Sequence, residues 1–212
     1  MSVGRGALIV FEGCDRAGKS TQMKMLLEAL NKQNISTETR AFPNRTTTIG
    51  AVINNFLSKK QELQAEVAHL LFSANRWECK DEILHTLYKG TTLVIDRYAG
   101  SGAAYTAATS SRSLSWCKAA DQGLPSPDLV ILLEVSEEAQ RVRSNWGAER
   151  FENSKVQEQV ASNYKKLVDQ TWTVINGDGD KSQVHSQILE KVLDVIKGVK
   201  DKPIEKLYEP SN

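Results

Sequence analysis

The chain has 212 residues, and we expect residues 1–212 to form a single domain that buries its core without disulfides or a structural metal. Its 27 basic and 26 acidic residues leave a formal net charge of +1, so no overall basic field exists to hold a nucleic acid. The three cysteines form no CxxC pair, which argues against a disulfide framework and against a cysteine-rich zinc site. Unpaired cysteines are typical of a reducing compartment, so an intracellular, cytoplasmic protein is expected, with a nuclear or mitochondrial pool left open.

Apolar residues make up 40% of the chain, as is usual for a globular protein. The longest apolar runs, Ala7–Phe11 and Leu129–Leu133, are far shorter than the roughly 20 residues of a membrane-spanning helix. The first six residues lead directly into an apolar run and leave no room for a signal peptide with a cleavage site. We therefore expect no membrane partner.

Five runs have the composition of β-strands. They are Ala7–Glu12, Ile35–Phe42, Thr91–Asp96, Leu129–Val135 and Trp172–Asn176. The first and the fourth contain continuous apolar stretches, a pattern typical of strands that are buried on both faces of a parallel sheet.

Helical periodicity fills the gaps between these runs. Apolar residues three and four apart predict amphipathic helices over Met23–Leu30, Val67–Ala74 and Ile188–Ile196, and the second of these helices could continue to Leu87. The tail Lys200–Asn212 is polar and is expected to lie on the surface or to fray. Strands that alternate with helices predict βαβ crossovers, and hence an α/β fold with a parallel sheet and helices on both faces.

The charged segment Ser136–Asn153 has two interpretations. A solvated helix followed by a loop is the ordinary structure of such a segment. The alternative is a basic flap, with Arg141, Arg143 and Arg150, that closes over phosphates. The segment follows a buried strand, and ligands of α/β proteins bind at the carboxyl edge of the sheet.

The residues Gly13–Ser20 fit the pattern G-x-x-x-x-G-K-[ST] between an apolar strand and an amphipathic helix. The two glycines bring backbone N–H groups close to phosphate oxygens, and the helix N-terminus completes an anion site. Lys19 adds a compact positive charge on the β- and γ-phosphates, and the Ser20 hydroxyl is a ligand for Mg²⁺. The residues expected to bind the nucleotide phosphates are Gly13, Cys14, Asp15, Arg16, Ala17, Gly18, Lys19, Ser20 and Thr21.

A second buried run ends in Asp96 and is followed by Arg97. An acid at this edge can reach Mg²⁺, directly or through water, and Arg97 supplies a second cation near the phosphates. The chain has no guanine-reading NKxD motif, which argues against a regulatory GTPase. Arg45, Arg76 and Arg97 lie near aromatic residues and suggest a second anion, the phosphate acceptor.

Phe72 and Arg76 are four residues apart and share one helix face. One interpretation is a core phenylalanine beside a surface arginine. The other is a platform on which a planar base stacks, with a forked donor for its carbonyl edge.

Six motifs in order along the chain resemble those of thymidylate (dTMP) kinases, and of the eukaryotic branch in particular. They are FEGCDRAGKSTQ, FPNR, LLFSANRWE, DRYAGSGAAYT, GLPSPDLVI and ERFEN. This resemblance implies the P-loop nucleoside-monophosphate kinase fold, with a five-stranded parallel sheet and a short lid at about residues 136–150. It implies transfer of the ATP γ-phosphoryl group to dTMP in dTTP synthesis, with Mg²⁺, and a homodimer packed through helices.

The resemblance also implies roles for residues of the acceptor site. Phe72 and Arg76 would read the thymine, with Ser101 and Gly102 along the base. Asp15 would hold the sugar 3′-OH, and Tyr105 would pack against the deoxyribose. The acceptor phosphate would lie between Arg45 and Arg97 beside Phe42, and the site would be closed by Phe151 and Gln157.

On the donor side the resemblance places Arg143 and the loop around Asp180 at the adenine. Arg16 lies inside the phosphate loop, which places the chain with members of the family that carry a catalytic arginine there. The expected catalytic residues are Asp15, Arg16, Lys19, Asp96 and Arg97, of which Asp96 joins Ser20 in holding the metal.

Three residues depart from the family pattern: Asn44, Gly100 and Phe151. A glutamate, a bulkier residue and a tyrosine are usual at these positions, so a looser acceptor helix and the loss of a hydroxyl contact are expected. Alternatives of other classes also stay open. These are a kinase for dUMP, UMP or a nucleoside, a catalytically weak nucleotide-binding protein, and a switch GTPase.

Overall fold

The computed structural model describes residues 4–142 and 149–209. Its sheet has five strands in the order β2-β3-β1-β4-β5, and every neighbouring pair is parallel, as the sequence predicts. The strands are β1 (Leu8–Glu12), β2 (Thr37–Ala41), β3 (Thr92–Asp96), β4 (Leu129–Glu134) and β5 (Trp172–Asn176).

Helices cover both faces of the sheet. In chain order they are α1 (Lys19–Lys32), α2 (Thr48–Leu57), α3 (Ala65–Trp77), α4 (Lys80–Tyr88), α5 (Ala99–Thr109), α6 (Leu114–Ala119), α7 (Glu137–Val142), α8 (Ser154–Leu167) and α9 (Lys181–Gly198). In the described part of the chain, no helix combines the length and the apolarity that crossing a lipid bilayer requires.

The central strand β1 explains how the core forms. All five of its residues are buried, and successive side chains point to opposite faces of the sheet. Ile9 and Phe11 pack in a cluster with residues of α1 and α9, whereas Leu8 and Val10 pack with residues of α4 and the start of α5. The continuous apolar run therefore reflects a strand covered on both sides.

Two predicted helices differ from the structure in their bounds. The helix over Val67–Ala74 ends at Trp77, and a separate helix carries Leu87, because the chain turns at Cys79. The last helix begins at Lys181, seven residues before the first apolar position that predicted it, because Asp180 caps its amides.

The C-terminal tail also differs from the prediction. Within its described part, Ile204, Leu207 and Tyr208 pack against the core cluster that covers one face of the sheet. The amide of Leu207 donates to the carbonyl oxygen of Leu124 at 2.8 Å. Apolar side chains at three positions are sufficient to hold an otherwise polar segment in place.

Candidate active site

The carboxyl ends of β1 and β3 lie side by side. In the register of these strands Phe11 is opposite Asp96, and the amide of Arg97 donates to the carbonyl oxygen of Phe11 at 2.9 Å. The loop that follows β1 therefore begins next to Asp96 and Arg97. Strand β3 pairs with β1, so its last residue, Asp96, lies beside the phosphate loop.

The phosphate loop has the backbone that an anion site requires. Gly13 and Gly18 have φ angles of +140° and +96°, and a Cβ on Gly13 would lie 2.6 Å from the Leu133 carbonyl oxygen. Helix α1 begins at Lys19 without a side-chain cap on its first turn, so its N-terminal amides can bind an anion.

Lys19 is held inside this loop. Its Nζ donates to the carbonyl oxygens of Gly13 at 3.1 Å and Cys14 at 2.9 Å. Burial, together with the Arg97 charge, lowers the pKa of Lys19 from 10.5 to about 8, and the carboxylates of Asp96 and Asp15 only partly oppose this. A bound phosphate would stabilise the charged ammonium and restore its proton affinity.

Two cavities meet at this edge of the sheet. The smaller has a volume of about 390 Å³, and the residues that line it are Asp15, Arg16, Gly18, Lys19, Ser20, Thr21, Asp96 and Arg97. The larger has a volume of about 570 Å³ and extends between α3 and α5. Asp15, Asp96 and Arg97 line both cavities, so a ligand in one comes within reach of a ligand in the other.

The larger cavity brings together the residues predicted for the acceptor. Those that line it are Asp15, Phe42, Arg45, Phe72, Arg76, Arg97, Ser101, Gly102, Tyr105 and Phe151. Gln157 is buried behind the wall of the cavity and donates to the Asp15 carboxylate at 2.7 Å. Cys14 and Ala17 turn their side chains into the core, so they serve the phosphate loop through its backbone.

Asp15 is the centre of a polar network at the junction of the cavities. It pairs with Arg97 and accepts hydrogen bonds from the Tyr105 hydroxyl at 3.1 Å and from Gln157. Burial raises the pKa of Asp15, but the charges of Arg97 and Lys19 and these hydrogen bonds outweigh it, and the pKa falls below its usual value. Asp15 is therefore an ionised acceptor for a hydroxyl group.

Arg76 forms one wall of the larger cavity and is anchored from behind. Its Nε and Nη2 donate to the two carboxylate oxygens of Asp121 at 3.0 and 2.7 Å, and both side chains are almost fully buried. A Cβ on Gly102 would lie 2.6 Å from Arg76 Nη2, so only glycine fits beside the guanidinium. This packing fixes the forked donor of Arg76 on the same helix face as Phe72.

Arg16 and Arg45 are each paired with a carboxylate of the segment after residue 148. Arg45 donates to Glu149 at 2.7 Å and to Asn54 at 2.7 Å. Arg16 lies 3.3 Å from Glu152. Both arginines are next to the cavities in which anions are expected, so an incoming phosphate would compete with these carboxylates.

A sequence model of the thymidylate kinase family matches residues 11–188. The chain is 42% identical over 212 residues to the thymidylate kinase of Homo sapiens and 41% identical over 211 residues to that of Danio rerio, covering 100% of each protein. A solved thymidylate kinase from Candida albicans superposes with a TM-score of 0.87 at 33% identity, over 96% of this chain and 99% of that one.

The chain belongs to the thymidylate kinase family. The predicted family and fold are confirmed, and with them the reaction, which is phosphoryl transfer from ATP to dTMP with dTDP and ADP as products. Within the segment Ser136–Asn153, Arg150 binds the Phe56 carbonyl and Glu62, at 2.9 and 2.7 Å, and lines the larger cavity of this thymidylate kinase. The interpretation of the segment as a basic flap stays a prediction.

The donor side of this thymidylate kinase is only partly described. Arg143 lies outside the described residues, so its predicted contact with adenine stays a prediction. The Asp180 carboxylate accepts from the amides of Ser182 and Gln183 and thereby caps α9. Its loop adjoins the phosphate loop, since a Cβ on Gly177 would lie 3.2 Å from the Ala17 carbonyl oxygen.

The departures from the family pattern have structural reasons. A Cβ on Gly100 would lie 2.9 Å from the Trp172 ring and 2.8 Å from a Glu12 oxygen, so the acceptor helix is tightly packed there and the expected loosening is wrong. The ring of Phe151 packs 5.7 Å from that of Tyr105, an apolar contact that needs no hydroxyl. Asn44 is held by its amide, which donates to Asn75 at 2.7 Å.

Sequence reasoning missed the residues that support the site from behind. Asp121 lies 45 positions beyond Arg76, and nothing in its local sequence marks it as a partner of that arginine. Glu12 is part of a motif that the resemblance quotes, yet the motif alone gives it no role. Only the fold shows that both are fully buried carboxylates.

Proposed function

We propose that this thymidylate kinase holds dTMP in the larger cavity and the ATP phosphates over the phosphate loop, and that transfer occurs at the residues shared by both cavities. The observation that carries the proposal is that Asp15, Asp96 and Arg97 line both spaces. Two polyanions can react in line only where positive charge offsets their repulsion.

In the acceptor cavity, thymine stacks on Phe72 and its carbonyl edge binds Arg76. The ionised carboxylate of Asp15 accepts the 3′-OH of the sugar, and Tyr105 packs where a 2′-OH would lie. Arg97 and Arg45 clamp the phosphate, for which Arg45 leaves Glu149. Buried Asp121 supports this orientation because it fixes Arg76 against rotation.

At the donor phosphates, Lys19 and the loop amides bind the β- and γ-phosphoryl groups. Arg16 leaves Glu152 and stabilises the charge that spreads over the transferring group, together with Arg97. The acceptor phosphate is already an anion, so no general base is required. The segment at about residues 136–150 serves as a lid that excludes water and limits ATP hydrolysis.

Residues of this chain also fit a Mg²⁺ ion. Ser20 Oγ lies 3.5 Å from Asp96 Oδ2, and Asp96 Oδ1 is buried without a hydrogen-bond partner among the described residues. A magnesium ion is commonly bound by one or two protein oxygens together with substrate phosphates, and Ser20 and Asp96 would hold it in that way. The ion would neutralise part of the charge on the donor phosphates.

We further infer that the protein is a homodimer. Val67 and Leu70 lie on the outer face of α3, and they are 46% and 53% exposed. Adjacent exposed apolar side chains on one helix favour packing against a second copy. An intracellular, cytoplasmic location is inferred from the three buried cysteines, none of which is in a disulfide.

A coupled assay of ADP release with ATP and a panel of acceptors tests the proposed function. We expect dTMP to give the highest kcat/KM, dUMP a lower value because it lacks the 5-methyl group, and UMP the lowest because of its 2′-OH. Equal rates with UMP and dTMP would contradict the role of Tyr105. ADP release that does not depend on any acceptor would contradict the assignment of the larger cavity.

A further inference from the structure

Glu12 is a fully buried carboxylate for which the reaction as described has no use. It is the last residue of β1, directly before the phosphate loop, and its exposed fraction is 0%. It lines neither cavity. Burying a carboxylate costs several kcal/mol unless hydrogen bonds compensate, so its surroundings indicate what it does.

Among residues 4–142 and 149–209, the donors within hydrogen-bonding distance of Glu12 are neutral groups. Oε1 accepts from the amides of Tyr98 and Ser101, each at 2.9 Å. Oε2 accepts from the Ser101 hydroxyl at 2.5 Å and from the Tyr164 hydroxyl at 3.0 Å. One amide belongs to Tyr98, the N-cap residue of α5, and the other to Ser101 in its first turn, so Glu12 caps this helix from a neighbouring strand.

One of these donors, the Ser101 hydroxyl, also contacts Arg97, the residue proposed above to bind the phosphates. Arg97 Nη1 donates to Ser101 Oγ at 3.1 Å and to the Gly13 carbonyl oxygen at 3.2 Å, and Arg97 Nη2 pairs with Asp15. Because the Ser101 proton is drawn to Glu12, a lone pair of Ser101 Oγ faces Arg97. Glu12 thereby orients the hydroxyl that holds the guanidinium at the junction of the two cavities.

We propose that Glu12 is a positioning residue for phosphoryl transfer, which fixes Arg97 through Ser101. The inference rests on the role proposed above for Arg97. A glutamine at position 12 would present N–H donors where the carboxylate accepts, so both hydroxyls would have to reverse and the Ser101 oxygen would hold Arg97 less well. Because Glu12 touches no substrate space, its loss acts on alignment and not on substrate contact.

The test is a double-mutant cycle on steady-state kinetics of the full chain. We expect Glu12→Gln to lower kcat about tenfold while KM for ATP changes less than about twofold, since misalignment affects the transition state. Ser101→Ala should lower kcat by a similar factor. In the Ser101→Ala background, Glu12→Gln should then lower kcat by no more than about twofold, because the path to Arg97 is already cut.

Asn163→Ala is the matched control. Asn163 Nδ2 donates to the Ala104 carbonyl at 3.0 Å and so joins α8 to α5, but it is not among the hydrogen-bond donors of Glu12 in the described part of the chain. This variant should lower Tm and leave kcat unchanged. If Glu12→Gln does not yield folded protein, Tyr164→Phe replaces it, because it removes only the hydroxyl, and kcat should fall about threefold.

The outcomes separate the inference from the proposed function. A kcat unchanged in Arg97→Ala would overturn the role of Arg97 itself. A kcat that falls in Arg97→Ala but not in Glu12→Gln, or not in Tyr164→Phe where that variant replaces it, would overturn only the positioning role. If the double variant lowered kcat by the product of the two single factors, the positioning role would also be overturned, because independent effects on kcat multiply.

Discussion

The lowered pKa of Lys19 makes ATP capture dependent on pH. The ammonium must be charged to bind phosphates, and in the free enzyme its pKa is about 8 because of burial and the Arg97 charge. Raising the pH through 8 removes the proton. We expect kcat/KM for ATP to fall above pH 8, approaching tenfold per pH unit. A profile of kcat/KM between pH 7 and 10 measures this.

The same profile for kcat should stay level to higher pH, because bound phosphates stabilise the charged ammonium and raise its pKa. Lys19→Arg is the control, since a guanidinium keeps its charge throughout this range. Its residual kcat/KM should not fall between pH 8 and 10. A level wild-type profile for kcat/KM would show that Lys19 remains protonated in the free enzyme.

Asp121 gives a second prediction at the scale of single residues. Asp121→Asn keeps the shape of the side chain but leaves the buried Arg76 guanidinium without its charged partner. Loss of such a partner weakens recognition by about 2 kcal/mol or more, so KM for dTMP should rise at least about thirtyfold, with a smaller change in kcat.

Asp128→Asn is the matched control for that variant. Asp128 forms an ion pair with Arg5 at 2.7 Å, also largely buried but away from both cavities. The Asp128→Asn variant should lower Tm without changing KM for dTMP. If both variants had the same KM for dTMP as the wild type, the anchoring of Arg76 by Asp121 would not matter for base recognition.

At the scale of elements, α3 shows why sequence reasoning succeeds for strands and fails for some helices. The limits of β1 and β4 follow within one residue from continuous apolar runs, because both faces of these strands are covered. Helix α3 buries polar residues, including His69, Asn75 and Arg76, and exposes Val67 and Leu70. Its inner face lines the larger cavity, so two apolar residues of the predicted helical pattern, Val67 and Leu70, lie on the outer side.

The residues that hold the site in place show a further limit of prediction from sequence. The phosphate loop and Asp96 are readable because their chemistry requires particular residues at fixed spacing. Glu12 and Asp121 act on partners that are distant along the chain, Ser101 and Arg76, and those contacts exist only once the strands and helices are packed. Neither a sequence motif nor an apolar periodicity predicts these contacts.

At the scale of the whole molecule, the strand order explains how one sheet positions both cavities. Placing β1 between β3 and β4 brings the phosphate loop next to Asp96 and Arg97 on one side. The larger cavity then opens over the end of β3, between α3 and α5. The exposed side chains of Val67 and Leu70 lie on the other face of α3, which is the face proposed to pack against a second copy.

The proposed dimer gives a prediction at this scale. In a symmetric dimer each substitution occurs in both subunits of the interface. Burial of one leucine side chain contributes about 2 kcal/mol to the free energy of association. Wild-type protein should therefore sediment at twice its chain mass of 23.5 kDa, and Leu70→Glu should sediment as a monomer. Val174→Glu is the control, because Val174 is 45% exposed on β5, at the opposite edge of the sheet from β2. A monomeric wild type, or equal masses for the two variants, would contradict packing through α3.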